Sequence, residues 1–149
     1  MGMAPLVIGL AQAGWLISGE DDALSLVMRC VLSSAGVKIV SLRLLVENYF
    51  PDSVVYSSAV KEGHVAREIA EDLAIPLQRR GSFLAEISKS KRVIAICSSH
   101  GKSSTTAMCA QLFQESRLDA DYYVGAFYQD SGKAPGKFTD ASILIAEID

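Results

Sequence analysis

The chain has 149 residues, of which 50% are hydrophobic and 21% charged, and its formal net charge is −3. This is the composition of a folded globular protein that is long enough to bury a core. The acidic balance argues against a basic face for nucleic acid or an anionic membrane, and no apolar run reaches the roughly 20 residues that span a bilayer.

The cysteines and the N-terminal segment indicate the compartment. Cys30, Cys97 and Cys109 lie far apart in apolar stretches and form no C-x-x-C pair, which argues against a zinc site or a disulfide framework. No lysine or arginine precedes the apolar run at the N-terminus, so we expect no signal peptide. The sequence therefore predicts a reduced, cytoplasmic location.

Apolar runs alternate with amphipathic stretches in the first part of the chain, which predicts an α/β fold. The predicted helices cover residues 4–13, 23–34, 62–73 and 82–87, and the predicted strands cover 37–40, 53–56 and 77–78. Asp22 and Ser82 are the expected N-caps of the second and fourth helices, and Gly14 and Gly36 are expected to end the first two. Residues 41–50 are ambiguous.

The polar run Lys89–Arg92 is the predicted boundary between two domains, 1–89 and 90–149. Beyond it, residues 93–97 form an unbroken apolar run, which is typical of a parallel strand buried on both faces. The elements expected next are a helix over 102–115, a strand over 122–124, a loop over 129–140 and a strand over 143–146. Trp15, Tyr122 and Tyr123 are predicted to be core residues.

The segment Ser98–Ser104, which reads S-S-H-G-K-S-S, has the context of a phosphate-binding loop. It follows a predicted strand and opens a predicted helix, where free backbone N–H groups and the helix dipole favour an anion. Gly101 allows the backbone to approach a phosphate closely, Lys102 can reach the β- and γ-phosphates of a nucleotide, and the Ser103 hydroxyl can bind Mg²⁺.

The full pattern G-x-x-x-x-G-K-[ST] is not met, because Ile96 occupies the position of its first glycine. The alternative is therefore that Gly-Lys-Ser is a chance tripeptide at a helix cap. The strand before the loop and the amphipathic helix after it favour the phosphate loop.

Residues 94–106 resemble the shortened nucleotide loop of the Mur ligases, of the form G-T-H-G-K-T-T-T. Further resemblances follow the family's order along nearly the whole chain: residues 1–4 to the end of a Gly-rich motif, 17–21 to V-S-G-S-D, 54–60 to V-V-x-S-S-A-I, 75–86 to I-P-V-x-R-R-x-x-M-L-A-E, and 144–149 to the start of A-E-A-D-E-S-D. The Ser-Ser-Ala and Arg-Arg features favour the branch that joins L-alanine to UDP-N-acetylmuramate over the branch that recycles murein peptides.

The resemblance implies a Rossmann-like UDP-sugar-binding domain over 1–89, truncated at its start so that its first strand is missing. It also implies the first part of a P-loop ATPase-type parallel sheet over 90–149, truncated at its end. Mur ligases activate a carboxylate with ATP and Mg²⁺ and then form an amide bond in peptidoglycan biosynthesis. UDP-N-acetylmuramate and L-alanine would be the parent enzyme's substrates, with no nucleic acid or membrane partner, and the fragment alone is expected to be inactive.

The resemblance also implies roles for individual residues. ATP binding is expected at Ser98, Ser99, His100, Gly101, Lys102, Ser103 and Ser104, catalysis at Lys102 and Glu147, and UDP-sugar binding at Gly2, Met3, Ser57 and Ser58. One Mg²⁺ is expected to bind at Ser103 and a second at Glu147. Two residues depart from the family: Ser98 replaces the first loop glycine, and Cys97 replaces a small residue. A positive φ at Ser98 would cost about 1 kcal/mol or more.

Several alternatives remain at this point. The chain would also fit a non-catalytic nucleotide- or UDP-sugar-binding module, or the recycling branch of the same family. An unrelated phosphate-loop NTPase would not need the motifs upstream of residue 90. Among single residues, Glu20 and Asp21 fit either a uridine pocket or a turn, and His64 is expected to be a solvated helix residue.

Overall fold

The computed structural model describes residues 3–126 and 134–148. In chain order its elements are α1 (Met3–Gln12), β1 (Ser18–Gly19), α2 (Leu26–Ser34), β2 (Lys38–Ile39), α3 (Leu42–Val46), β3 (Val54–Tyr56), α4 (Val65–Asp72), β4 (Leu77–Arg79), α5 (Arg80–Ile87), β5 (Arg92–Ile96), α6 (Lys102–Glu115), β6 (Asp121–Tyr123), β7 (Gly136–Lys137) and β8 (Ile143–Glu147). The prediction of a mixed α/β fold with parallel sheets is confirmed. No helix in the described ranges combines the length and the apolar character needed to span a membrane.

The chain divides into two compact units. Unit 1 combines Met1–Ile17 with Ser88–Asp149, and unit 2 consists of Ser18–Ile87. The first helix, α1, is therefore in the same unit as the predicted phosphate loop, whereas the sequence placed it in the first domain.

A four-stranded sheet in the order β5-β8-β6-β7 forms the centre of unit 1. The pairs β5–β8 and β8–β6 are parallel, and β7 is antiparallel to β6. Ala110 of α6 packs in an apolar core with Tyr122 of β6, Ile145 of β8 and Val124, which directly follows β6. Burial of these side chains holds α6 against the sheet and so positions the start of that helix.

Helix α1 packs against the antiparallel strand β7 at very short range. A Cβ atom on Gly9 would lie 2.7 Å from Cδ2 of Phe138 and 2.9 Å from the carbonyl carbon of Gly136. A Cβ atom on Gly136 would collide with the backbone oxygen of Pro5. Glycine is therefore required on both sides of this contact, because any side chain would push the helix away from the strand.

Unit 2 contains two separate two-stranded parallel sheets, β1–β2 and β3–β4. Its core is formed by Leu42, Ala70 and Ile75, with partly buried apolar side chains from α3, α4 and both strands β3 and β4 around them. Within the described residues of this unit, no fifth strand joins the two sheets.

Two predicted helix caps are wrong. Helix α2 begins at Leu26, and its cap is Ser25, whose Oγ accepts a hydrogen bond from the Met28 backbone at 3.2 Å. Asp22 lies outside that helix, because Asp21 first forms a turn by accepting from the Ala23 backbone. Ser82 lies inside α5, which begins at Arg80 directly after β4.

Three other expectations are corrected by exposure and pairing. Trp15 is 52% exposed, because it follows the end of α1, whereas Tyr122 and Tyr123 are buried as predicted. Strand β5 is not buried on both faces: its first four residues are exposed, and within the described residues it lies at the edge of its sheet. The predicted loop over 129–140 contains β7, which pairs with β6, and its residues 129–133 lie outside the described residues.

Candidate functional site

The loop between β5 and α6 has the geometry of an anion-binding turn. Gly101 is the N-cap of α6 with φ 75° and ψ 8°, the left-handed region that glycine adopts without strain, and it offers no side-chain hydrogen bond to the helix. The first backbone N–H groups of a helix have no intrahelical partner. They adjoin a cleft of about 380 Å³ lined by Ser99, His100, Gly101, Lys102, Ser103 and Ser104.

Hydrogen bonds inside the loop order its backbone. The Ser98 hydroxyl donates to the His100 carbonyl at 2.7 Å and accepts from the His100 N–H at 3.3 Å. His100 Nδ1 also lies 3.2 Å from Ser99 Oγ. The His100 side chain therefore contacts the loop itself.

Lys102 reaches back across the loop. Its Nζ donates to the Ser98 carbonyl at 3.0 Å, which places the ammonium group over the turn. At the other end of the same residue, the Lys102 carbonyl accepts from the Thr106 hydroxyl at 2.9 Å, and Thr106 is fully buried. The first turn of α6 is thereby fixed to the core while its lysine stays at the cleft.

Ser98 does not have the positive φ angle that would strain its backbone. The only non-glycine residues with positive φ in the described ranges are Ala74 and Arg117. Serine therefore fits this position without the left-handed conformation that would favour glycine, and its hydroxyl supplies the bonds that order the turn.

Glu147 lies at the same edge of the sheet as the loop. It is the last residue of β8 and is in register with Ile96, the last residue of β5. Its Oε2 is buried and has no hydrogen-bond partner. A Cβ atom on Gly125 would lie 2.7 Å from the Glu147 carboxyl carbon, so the absence of a side chain at Gly125 provides the space for this carboxylate.

A buried carboxylate oxygen without a partner is costly unless a cation or a hydrogen-bond donor meets it. Oxygen ligands of this kind suit Mg²⁺, which is bound through one or two protein oxygens together with phosphates and waters. No cluster of three or more His, Cys, Asp or Glu residues within the described chain could hold a metal by itself. A metal ion at Ser103 or at Glu147 would therefore need further ligands, such as the phosphates of a nucleotide.

The four residues predicted to bind the UDP-sugar are divided between the units. Met3 begins α1 in unit 1, Gly2 lies outside the described residues, and Ser57 and Ser58 follow β3 in unit 2. Ser57 Oγ accepts from the Ala59 N–H at 3.2 Å, and Ser58 is exposed. Met3 therefore belongs to unit 1, whereas Ser57 and Ser58 belong to unit 2.

A second cleft of about 440 Å³ lies in unit 2, where β1 and β2 end. It is lined by Glu20, Asp22, Ser41, Arg43, Gly63, His64, Val65, Ala66 and Ile69. Glu20 accepts from the Leu42 N–H at 2.7 Å, so it supports the start of α3. Glu20 and Asp21 therefore have local structural roles in a helix start and a turn. This is one of the two alternatives given for them above, the other being a uridine pocket.

His64 has a defined role that the sequence did not indicate. It is the N-cap of α4, and its Nδ1 accepts a hydrogen bond from the Ala66 N–H at 3.2 Å. Its Nε2 lies 3.4 Å from the Asp22 carboxylate. The side chain is only 28% exposed, so the expectation of a solvated helix residue is wrong.

Gly125, which leaves space for the Glu147 carboxylate, was also not identified from the sequence. The only signal for it in the sequence is its position after an apolar strand.

No protein-family model matches the chain. Among curated proteins, the chain is 31% identical over 148 residues to the UDP-N-acetylmuramate–L-alanine ligase of Stenotrophomonas maltophilia, and 32% identical over 148 residues to the enzyme of that name from Dichelobacter nodosus. Each match covers 99% of this chain and 30% of the relative. The chain thus spans about a third of the length of these relatives.

Solved structures share the fold. A murein peptide ligase from Psychrobacter arcticus matches with a TM-score of 0.79 and 25% identity, covering 99% of this chain and 35% of the other. The UDP-N-acetylmuramate–alanine ligase of Thermotoga maritima matches with a TM-score of 0.83 and 19% identity, covering 98% of this chain and 34% of the other. The second likeness shows the fold alone.

Proposed function

We propose, from the relationship to the Mur ligase family that the motifs indicated and the comparisons confirm, that this chain supplies the ATP-binding loop of an amide-forming ligase. The chain corresponds to part of such an enzyme, because its curated relatives are about three times as long as the stretch it matches. The parent reaction would join L-alanine to UDP-N-acetylmuramate in the cytoplasm.

The observation that carries this proposal is the loop at the start of α6. A left-handed Gly101, an uncapped helix N-terminus and a lysine over the turn together form a cradle for the triphosphate. Lys102 would leave the Ser98 carbonyl to bind the γ-phosphate, where its charge stabilises the transferring group. Ser99, His100, Ser103 and Ser104 line the cleft on either side of these two residues.

Ser103 would bind one Mg²⁺ and Glu147 a second, each together with the phosphates of ATP. The ions would offset the repulsion between the triphosphate and a substrate carboxylate. The buried, unpartnered Oε2 of Glu147 supports this role, because a cation is the partner that such an oxygen lacks.

ATP binding to the purified chain, measured by calorimetry with and without Mg²⁺, tests the proposal. We expect binding to require Mg²⁺ and Lys102→Ala to abolish it. Lys89→Ala is the matched control, because Lys89 is exposed and lies outside the loop. If Lys102→Ala binds ATP as tightly as the unaltered chain, the phosphate-loop assignment is wrong.

The chain alone should not complete the ligase reaction. Incubation with UDP-N-acetylmuramate, L-alanine and ATP should release no phosphate above the level seen with Lys102→Ala. ATP binding without release would leave a nucleotide-binding module as the function of the isolated chain. Phosphate release that depends on both other substrates would contradict the expectation of inactivity.

We prefer a ligase that adds L-alanine, and not one that adds a murein peptide, as the parent enzyme of this chain. The curated L-alanine ligases are 31% and 32% identical to this chain, and the murein peptide ligase of Psychrobacter arcticus is 25% identical. A chimaera that carries this chain in place of the matched region of either enzyme would discriminate between them. We expect activity with free L-alanine and none with a murein peptide.

A further inference from the structure

Ser98 lies beside the cleft at the start of α6 but does not line it. The described residues that line the cleft are the next six in the chain, Ser99 to Ser104. The Ser98 hydroxyl is directed at the backbone of His100, where it donates to the carbonyl at 2.7 Å and accepts from the N–H at 3.3 Å. An effect of this hydroxyl on a bound phosphate would therefore act through the backbone of the loop.

The bond to the His100 carbonyl fixes the direction of a neighbouring donor. In a planar trans peptide unit, the carbonyl of one residue and the N–H of the next residue point in opposite directions. The His100 carbonyl points towards Ser98, which does not line the cleft. The Gly101 N–H belongs to the same peptide unit and therefore points the other way, and Gly101 does line the cleft.

The peptide unit between His100 and Gly101 has unusual freedom to rotate. Its rotation changes ψ of His100 and φ of Gly101 together. Gly101 has φ 75°, and glycine populates positive and negative φ about equally readily, so it tolerates both orientations. In the rotated orientation the His100 carbonyl would point into the cleft, where its oxygen would repel a phosphate. A bond that holds this carbonyl outside the cleft therefore favours anion binding.

A different atom of Ser98 holds the lysine of the loop. Lys102 Nζ donates to the Ser98 carbonyl at 3.0 Å, whereas the His100 carbonyl is held by the Ser98 hydroxyl. The carbonyl is present whatever residue occupies this position, but the hydroxyl is not, and the family loop has glycine here. A substitution that removes only the hydroxyl therefore releases the peptide unit and leaves the acceptor for the lysine in place.

We propose that Ser98 is a positioning residue of the phosphate loop, whose hydroxyl holds the peptide unit between His100 and Gly101 with the Gly101 N–H directed at the nucleotide. This inference rests on the proposed function for the identity of the ligand. The orientation of the peptide unit is a property of the empty loop, so it can be measured without a nucleotide. The two proposals can therefore fail separately.

The first measurement uses the full chain without nucleotide. Relaxation dispersion of the backbone amide nitrogens detects exchange between two orientations on the microsecond-to-millisecond timescale. We expect no dispersion at Gly101 in the unaltered chain and clear dispersion there in Ser98→Ala. Ser98→Thr keeps the hydroxyl and should show none. Ser90→Ala is the matched control, because Ser90 is an exposed serine of unit 1 outside the loop.

The second measurement is the affinity for ATP with Mg²⁺, by titration calorimetry. Ser98→Ala should weaken binding by about fivefold, the effect expected from the loss of one hydrogen bond. Ser98→Thr and Ser90→Ala should bind as the unaltered chain does. The urea midpoint of Ser98→Ala should equal that of the unaltered chain, so that the loss of affinity cannot be assigned to unfolding.

Three outcomes would overturn the proposal. The first is a Gly101 amide that shows no dispersion in Ser98→Ala. The second is ATP binding by Ser98→Ala that is as tight as, or tighter than, binding by the unaltered chain. The third is an equal loss of affinity in Ser98→Thr, because the effect would then not come from the hydroxyl. ATP binding that is insensitive to Lys102→Ala would instead contradict the phosphate-loop assignment, and the result at Gly101 would stand.

Discussion

Lys91 and Asp121 form a buried ion pair at the base of the sheet in unit 1, with Nζ 2.8 Å from Oδ2. The Asp121 side chain is fully buried, and that of Lys91 is 11% exposed. Lys91 also donates to the Thr139 and Ala141 carbonyls at 2.7 Å each. Asp121 accepts from the Thr139 N–H and hydroxyl. The pair therefore joins the start of β5, the start of β6 and the segment before β8.

Replacement of Lys91 by methionine should destabilise the chain by about 3–5 kcal/mol, because it leaves the Asp121 carboxylate buried without a cation. Urea denaturation at neutral pH measures this loss. Lys89→Met is the control, since Lys89 is exposed and should change stability by less than about 0.5 kcal/mol. Equal stability of the two variants would show that the ion pair contributes nothing.

The close contact between α1 and β7 predicts that Gly9→Ala is destabilising although alanine favours helices. The new Cβ would overlap Phe138, and overpacking of this kind costs about 1–3 kcal/mol. Gly81→Ala in α5 is the matched control, because no atom lies within 4 Å of its new Cβ. That substitution should stabilise the chain by about 0.5–1 kcal/mol in the same denaturation assay. A gain in stability from Gly9→Ala would contradict the contact.

Gly125→Ala should weaken Mg²⁺-dependent ATP binding by about tenfold or more, because the new methyl group would displace the Glu147 carboxylate. Titration calorimetry at saturating and at zero Mg²⁺ measures the effect. Glu147→Gln should reproduce the loss of metal dependence without adding any atom. Unchanged affinity in both variants would remove Glu147 from the proposed metal site and leave the phosphate loop intact.

His64→Ala should destabilise the chain by about 0.5–2 kcal/mol, because the N-cap bond to Ala66 is lost. His64→Asn should restore most of that stability, since an asparagine side chain can accept the same bond. Urea denaturation of the two variants distinguishes a cap from a pocket residue. If asparagine is as damaging as alanine, the contribution of His64 comes from its contact with Asp22 and not from the cap.

The strand and the helix on either side of the proposed phosphate loop were predictable because their features are local. An apolar strand, Gly101 and the amphipathic residues after Lys102 all lie within one short stretch, and α6 spans the predicted residues 102–115. The fit of Ser98 in the loop was harder to predict, because it depends on one φ angle that local composition does not determine.

Long-range relationships were not predictable from the same patterns. The apolar run of β5 resembles a central strand, and only the order of the sheet shows that, among the described strands, it lies at an edge. Lys91 lies in the polar run that predicted a domain boundary. Its partner Asp121 lies beyond helix α6, too far along the chain for a local pattern to reveal the pair. His64 was missed because a histidine N-cap lies outside the preferred set of capping residues.

The packing of α1 on β7 has a consequence for the order in which the chain folds. Unit 2 is inserted between the two segments of unit 1, so Gly9 and Gly136 meet only after most of the intervening chain has been made. Closing so long a loop is entropically costly, and contacts of high sequence separation slow folding. During synthesis, the apolar α1 therefore cannot pack on β7 until β7 has been made, whereas unit 2 can already fold around its own core.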